Sequence, residues 1–369
     1  MEFDQDGGLR RTVVSVAIGV VLAGSVVAIA TPATAAMACG GWAVVPTPSL
    51  TTASQLLGIA EIGPGDVWAV GLTNSPFPGA SLAEHWDGAA WSVVPTAPGA
   101  SGFLWAVDGA VSDDAWAVGD TGTIEHWNGT AWSNVAIPLP SGASHPFLRD
   151  VHAVSSTDVW AVGWYTASAT EKTLVLHWNG SSWSRIPSPI QAKRVATEFW
   201  GVAVRSDTDV WAVGRYVKNG EFTFSAHWNG SSWSKPTMPA SPSTQDTYLG
   251  QVVTVGTAGA WAVGTSGSGD LIERYANGGW QIVTGLTGVG GLHGLLAFGP
   301  ANIYASGGSN GEPVAEHWNG ASWSGVATPA VPPGENGLFD LDGQSGTDLW
   351  GAGDQGETGG VQTLVEHAC

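Results

Sequence analysis

Short apolar runs separated by polar turns fill the chain from position 39 to its end, and they recur in a fixed order. One unit displays the order clearly. Residues 148–154 form a first apolar run, and Ser155-Ser156-Thr157-Asp158 a turn. Residues 159–163 form a second run, 173–178 a third and 182–186 a fourth, with Asn179-Gly180 joining the last two. Runs of this length bounded by turn residues predict β-strands. Asn-Gly between two of them predicts a type I′ hairpin, which needs φ > 0 at both central residues. Each unit thus predicts four short antiparallel strands.

Two markers count the units. Asp-Val-Trp-Ala-Val-Gly begins at Asp66, and close versions centre on Trp116, Trp160, Trp211, Trp261, Tyr304 and Trp350. From Trp68 to Trp350 is 282 residues over six intervals, or 47 each. A period of that size signals a propeller-like array. The second marker, His-Trp-Asn-Gly-x-x-Trp, ends at Trp91, Trp132, Trp183, Trp233, Trp280 and Trp323. A seventh ending would fall just past Cys369, and Trp42 supplies it. The predicted fold is all-β: a seven-bladed β-propeller of four-stranded antiparallel blades, with residues 40–46 completing the last blade. Radial repetition also removes long free strand edges.

Closing the ring in this way brings Cys39 and Cys369 together. They are the only cysteines, and they fall where Asn319 and Gly320 fall in a complete unit. A disulfide latching the ring is expected, which calls for an oxidising compartment. The N-terminus agrees. Arg10-Arg11 precedes the uncharged stretch 12–30, and small-residue cleavage sites follow Ala35 and Ala38. Residues 1–38 therefore read as a signal peptide, or as a membrane anchor if retained, and 39–369 as the propeller. Secretion or an extracytoplasmic, cell-surface location follows.

Composition narrows the partners. The net charge is −19, of which residues 1–38 carry −1. So acidic a surface repels phosphate backbones, so nucleic acid is not expected as a partner. No nucleophile motif, P-loop, dinucleotide fingerprint or zinc-binding spacing is present.

The pairing of a Val-Trp-Ala-Val-Gly strand with a His-Trp-Asn-Gly-x-x-Trp hairpin resembles bacterial secreted β-propellers of the broad tectonin, fucose-lectin and BNR-like grouping. The resemblance covers residues 39–369. It implies a binding platform more often than an enzyme, and it transfers no ligand residue by residue. The sialidase Asp-box is absent.

Candidate chemistry divides into repeated and unrepeated positions. His85, His126, His177, His227, His317 and His367 recur once per unit, so each is expected to serve its own unit's fold. Asp66, Asp114, Asp158, Asp209 and Asp348 recur likewise and are expected to accept turn N–H groups. Departures from the repeat lie eight and ten residues before the second-strand aromatic. These are Asp108, Asp150, His152, Gln251, Asp340 and Asp342. First strands line a propeller's channel, so Asp108, Asp150, His152 and Asp342 are candidate ligands for Ca²⁺, and no other cofactor is expected. The long loops should share one face. There Phe77, His145, Phe147, Lys172, Lys193, Arg194 and Tyr248 accompany the candidate ligand-binding residues Trp164, Tyr165, Arg215, Tyr216, Lys218 and Phe222.

The expected function is an exported, monomeric, non-enzymatic recognition module for a glycan or an extracellular protein. The alternative is an extracellular hydrolase or lyase at the channel mouth, with Asp108, Asp150, His152 and Asp342 as acid/base groups.

Overall fold

The computed structural model describes residues 41–369 except 49, 51–52, 74–78, 100–101, 189–194, 242–245, 258, 268, 287–289, 332–335 and 358–359. Seven four-stranded antiparallel sheets follow one another around a ring. Blade one runs Ser54–Gly63, Asp66–Thr73, Ala80–Trp86 and Trp91–Val93. Blade three, longer on one side, runs Ser144–Ser155, Asp158–Ala167, Thr170–Trp178 and Trp183–Arg185. Blade seven is completed from the other end of the chain: Trp42–Val44 pairs with Gly360–Ala368, Trp42 opposite Ala368. The main-chain bond Val45 N–H to Val365 O (2.8 Å) and the Thr47–Thr363 hydroxyl pair (2.7 Å) extend this seam. The closure expected from the repeat is present. Segment 1–38, the signal or anchor reading, lies outside the described residues, as does Cys39. Among the described residues no helix is long and apolar enough to cross a membrane.

Tryptophan relays hold blade to blade. Trp68 of blade one lies 4.8 Å from Trp127 and 5.0 Å from Trp132 of blade two, the latter edge-on. Trp116 meets Trp178 and Trp183 of blade three in the same way. Trp350 of blade seven meets Trp86 and Trp91 of blade one, so the relay also crosses the seam. Edge-to-face pairs satisfy the ring quadrupoles while burying large apolar area.

The hairpins differ from expectation in an instructive way. In blade three the pair Trp178–Trp183 encloses four residues, and Asn179 is not left-handed; only Gly180 has positive φ, 87°. The Asn179 side chain closes the loop by accepting N–H bonds from Ser181 and Ser182, both 3.0 Å. Blade five is shorter here. Ala276 pairs with Gly279, and both Asn277 (φ 53°) and Gly278 (φ 85°) are left-handed, as a type I′ turn requires. Loop length selected the turn.

Candidate functional site

The site begins with a repeated glycine. In blade three Leu148 pairs with Gly163, but the next pair is Asp150 with Val162, so Arg149 is an extra, bulged residue. A Cβ on Gly163 would sit 2.0 Å from the Phe147 carbonyl oxygen, so only glycine lets the inner strand approach closely enough to bulge. Every blade repeats the arrangement, with Gly71, Gly119, Gly214, Gly264, Gly307 and Gly353 in the same role. The seven bulged residues are Leu57, Trp105, Arg149, Trp200, Gly250, His293 and Phe339. All seven line one cavity of about 340 Å³, together with Gln55, Tyr248 and Gln251. The cavity lies near the start of each inner strand, so it opens on the face of the long loops.

Arg149 is its centre. Its guanidinium carbon lies 3.7 Å from the Trp105 ring centroid and 4.4 Å from that of Trp200. Trp105 is fixed by its indole N–H, which donates to Asp120 at 2.6 Å, and Trp200 by donation to Glu198 at 2.9 Å. Tyr248 stacks on Trp200 at 4.3 Å, and Trp164 stacks on it at 6.0 Å. Burial lowers the Arg149 pKa to about 10 and also lowers that of His293, where the Arg149 charge adds to the effect. His293 is therefore a neutral ring at pH 7.

The expected ligand-binding residues separate. Trp164 and Arg215 reach this mouth; Arg215 Nε donates to Glu198 (3.0 Å) and its Nη1 to Glu221 (2.7 Å). Tyr165 does not reach it. It is 8% exposed and packs into the apolar seam between blades two and three. Tyr165 and Trp164 are adjacent on a strand, so their side chains leave it on opposite faces. Tyr216 and Phe222 stack on each other at 5.2 Å, and Lys218 is exposed on the turn beyond them. Phe77, Lys193 and Arg194 lie outside the described residues.

The unrepeated acids occupy the channel deeper down. Each bridges neighbouring inner strands. Asp108 accepts from Ala153 N–H (2.8 Å), Asp150 from Val202 (2.7 Å), Asp340 from Ile59 (3.0 Å) and Asp342 from Glu61 (2.7 Å). Burial raises the pKa of Asp108 to about 6 and of Asp340 and Asp342 to about 7, and that of Asp150 well above the usual carboxylate range. His152, 3.8 Å from Asp108, is pushed down to about 4 by burial. Among the described residues no group of three His, Cys, Asp or Glu side chains converges as a metal would require.

The repeated acids and histidines pair with each other rather than with turn amides. In blade three one oxygen of Asp158 accepts from both the Trp160 indole and His177 Nε2, each at 2.9 Å. Asp114 and Asp209 do the same with Trp116–His126 and Trp211–His227. In blade six Asn302 replaces the acid and still binds His317 at 2.8 Å.

Strict alternation hid the mouth. Positions eight and ten before the second-strand aromatic share a face, and the bulge adds position eleven to the channel side. Another signal was present: of 21 Trp, 18 belong to the two markers, and the remaining three are Trp105, Trp164 and Trp200.

No family model matches the chain, and no curated protein matches it. Solved structures do match in fold. YCF48 bound to D1 peptide superposes with TM-score 0.60 at 14% identity, covering 89% of this chain and 97% of that one. U3-55K gives TM-score 0.61 at 9% identity, covering 89% and 98%. The WD40 β-propeller domain of Doa1 gives 0.58 at 13%, covering 88% and 96%. At these identities the likeness establishes the propeller alone. The tectonin, fucose-lectin and BNR-like grouping gains no support from these neighbours.

Proposed function

We propose that this protein is a recognition module that binds a peptide segment of a protein partner at the channel mouth. The observation that carries the reading is the convergence of seven bulged positions, one per blade and of six residue types, on a single cavity whose scaffold is otherwise repetitive. The chemistry suits a peptide. Aromatic edges, a guanidinium, a neutral imidazole and two amides offer apolar contact and mixed hydrogen bonding. A sugar calls for an open aromatic face. Here Arg149 covers Trp105, while Arg149, Tyr248 and Trp164 crowd Trp200. That one fold neighbour is YCF48 bound to a D1 peptide supports the same class of occupant, by fold alone. Hydrolase or lyase chemistry has less support, because Asp108, Asp150 and Asp342 accept backbone amides.

Display selection of random peptides on the immobilised protein tests the reading. Enriched peptides should lose binding to Trp105→Ala and Trp200→Ala. Enrichment that ignores both substitutions would contradict it.

We also propose that the ring is exported and latched by a Cys39–Cys369 disulfide. The register supports this: Trp42 opposite Ala368 reproduces Trp323 opposite Trp318, and in sequence Cys369 and Cys39 take the places of the loop residues Asn319 and Gly320. Closing so long a loop stabilises by about 4–5 kcal/mol at most. Thiol labelling of the exported protein checks it; two reactive thiols without reductant would refute the latch.

A further inference from the structure

We infer that the mouth cavity is a carboxylate receptor, with Arg149 as the cation that anchors the ligand. This deepens the peptide-binding reading and rests on it.

Arg149 differs from the other well-placed arginines. Arg215 is held by Glu198 and Glu221, and Arg205 by Asp209 and the Gly259 carbonyl. Arg149 has no hydrogen-bond acceptor and no ion-pair partner among the described residues, in a chain with 31 acidic and 12 basic side chains. A guanidinium carries five N–H donors and cannot discard its charge, so partial burial without an acceptor is costly. The flanking indoles recover part of that cost through their ring faces and hold the group in place. Contact with the ring faces uses no acceptor for its N–H donors, and those are the donors that grip a carboxylate in a bidentate fork.

The nearby acids do not fill this role. Asp120 and Glu198 accept the indole N–H groups of Trp105 and Trp200. Asp150 and Asp340, on the cavity floor, each accept two backbone amides. The Asp120 and Glu198 charges offset part of the burial of Arg149, but none of the four carboxyls accepts a hydrogen bond from it. Leu57, Phe339 and the indoles supply an apolar surround, in which a charge-assisted bond is stronger than in bulk water. Carboxylate fits better than phosphate. Arg149 is backed by no lysine at the cavity, and a doubly charged anion would meet a net charge of −19. On a peptide, the carboxylate is either the chain terminus or an Asp or Glu side chain.

The test uses the Arg Nε–H resonances of the ¹⁵N-labelled protein, with Arg149 assigned by its loss in Arg149→Met. Three probes are titrated: N-acetylphenylalanine, its amide, and N-acetylglutamic acid α-amide. At least one carboxylate should shift the Arg149 resonance saturably with a Kd near or below about 10 mM, and the neutral amide should bind at least about tenfold more weakly. Preference for the first acid identifies a chain terminus as the source, and preference for the second an acidic side chain. Arg149→Met should abolish the accompanying tryptophan fluorescence change, while Arg149→Lys keeps the charge but binds weakly because the fork is gone. Equal binding of acid and amide, no saturable shift with either acid, unchanged binding to a folded Arg149→Met, or tighter binding of inorganic phosphate would each overturn the inference. Failure here is separable from failure of the peptide reading. Selected peptides that need Trp200 but ignore Arg149 would leave that reading standing and remove this one.

Discussion

Two rings of equivalent positions, eleven residues apart in every unit, behave in opposite ways. The second-strand position holds Trp68, Trp116, Trp160, Trp211, Trp261, Tyr304 and Trp350, nearly one residue type throughout. The bulged position holds Leu57, Trp105, Arg149, Trp200, Gly250, His293 and Phe339, almost all different. Apart from the half-buried Tyr304, the first ring is buried between blades, and it repeats because every blade has the same neighbour to pack against. The second ring meets at one place, the axis, where seven positions form a single environment. Repetition reports the scaffold, and its breakdown at a convergent position reports the site.

The largest effect that could break this contrast is at the buried ring. Trp160 is 2% exposed, so Trp160→Ala should cost about 3–5 kcal/mol. Trp200→Ala, at the half-buried mouth, should cost far less stability yet abolish ligand binding. Urea denaturation beside a binding assay checks both, and similar stability losses for the two would erase the distinction. Gly163→Ala comes next, at about 3 kcal/mol, because the new methyl overlaps the Phe147 carbonyl. It should also disturb the mouth, since the bulge that presents Arg149 depends on that approach.

How legible each ring was follows from the same geometry. The scaffold was readable because its markers recur and because Cys39-Gly-Gly-Trp42 completes a unit the C-terminus leaves unfinished. The mouth was not, because a bulge breaks the period of two on which any strand reading rests. Trp164 and Arg215, named from clustering on the loop face, lie beside the mouth. Tyr165 was misplaced with them, since loop-face clustering in sequence does not say which side of a strand a residue leaves. Asp158 was found as a repeated acid, but its partners, Trp160 and His177, lie across strands.

Smaller effects sharpen the scaffold half of the contrast. Glu84 and Glu366 are fully buried, and burial raises their carboxyls to about 8; Glu273 and Glu316 rise to about 7. These groups titrate near 4.5 when unfolded, so between that pH and 8 the folded chain holds more protons. Stability should therefore fall as pH rises through this window. His152 and His293, shifted downward, act oppositely, but only below the ordinary histidine range near 6.5. The urea midpoint should drop between about pH 6.5 and pH 8.5, and Glu366→Gln should reduce the drop. A flat or rising profile would contradict the buried-acid account. The smallest effect is Asp158→Asn. A single oxygen of Asp158 serves both partners, and blade six already uses Asn302, so the cost should stay near or below about 1 kcal/mol.

The most direct test of the central claim is photo-crosslinking of a selected peptide from two positions on inner strands. One photoreactive residue replaces Phe339 at the mouth. The other replaces Val154, 43% exposed at the far end of blade three's inner strand. Crosslinks from position 339 and none from position 154 are predicted. Crosslinks of equal yield from both, or from position 154 alone, would contradict the assignment of the site to the bulged ring.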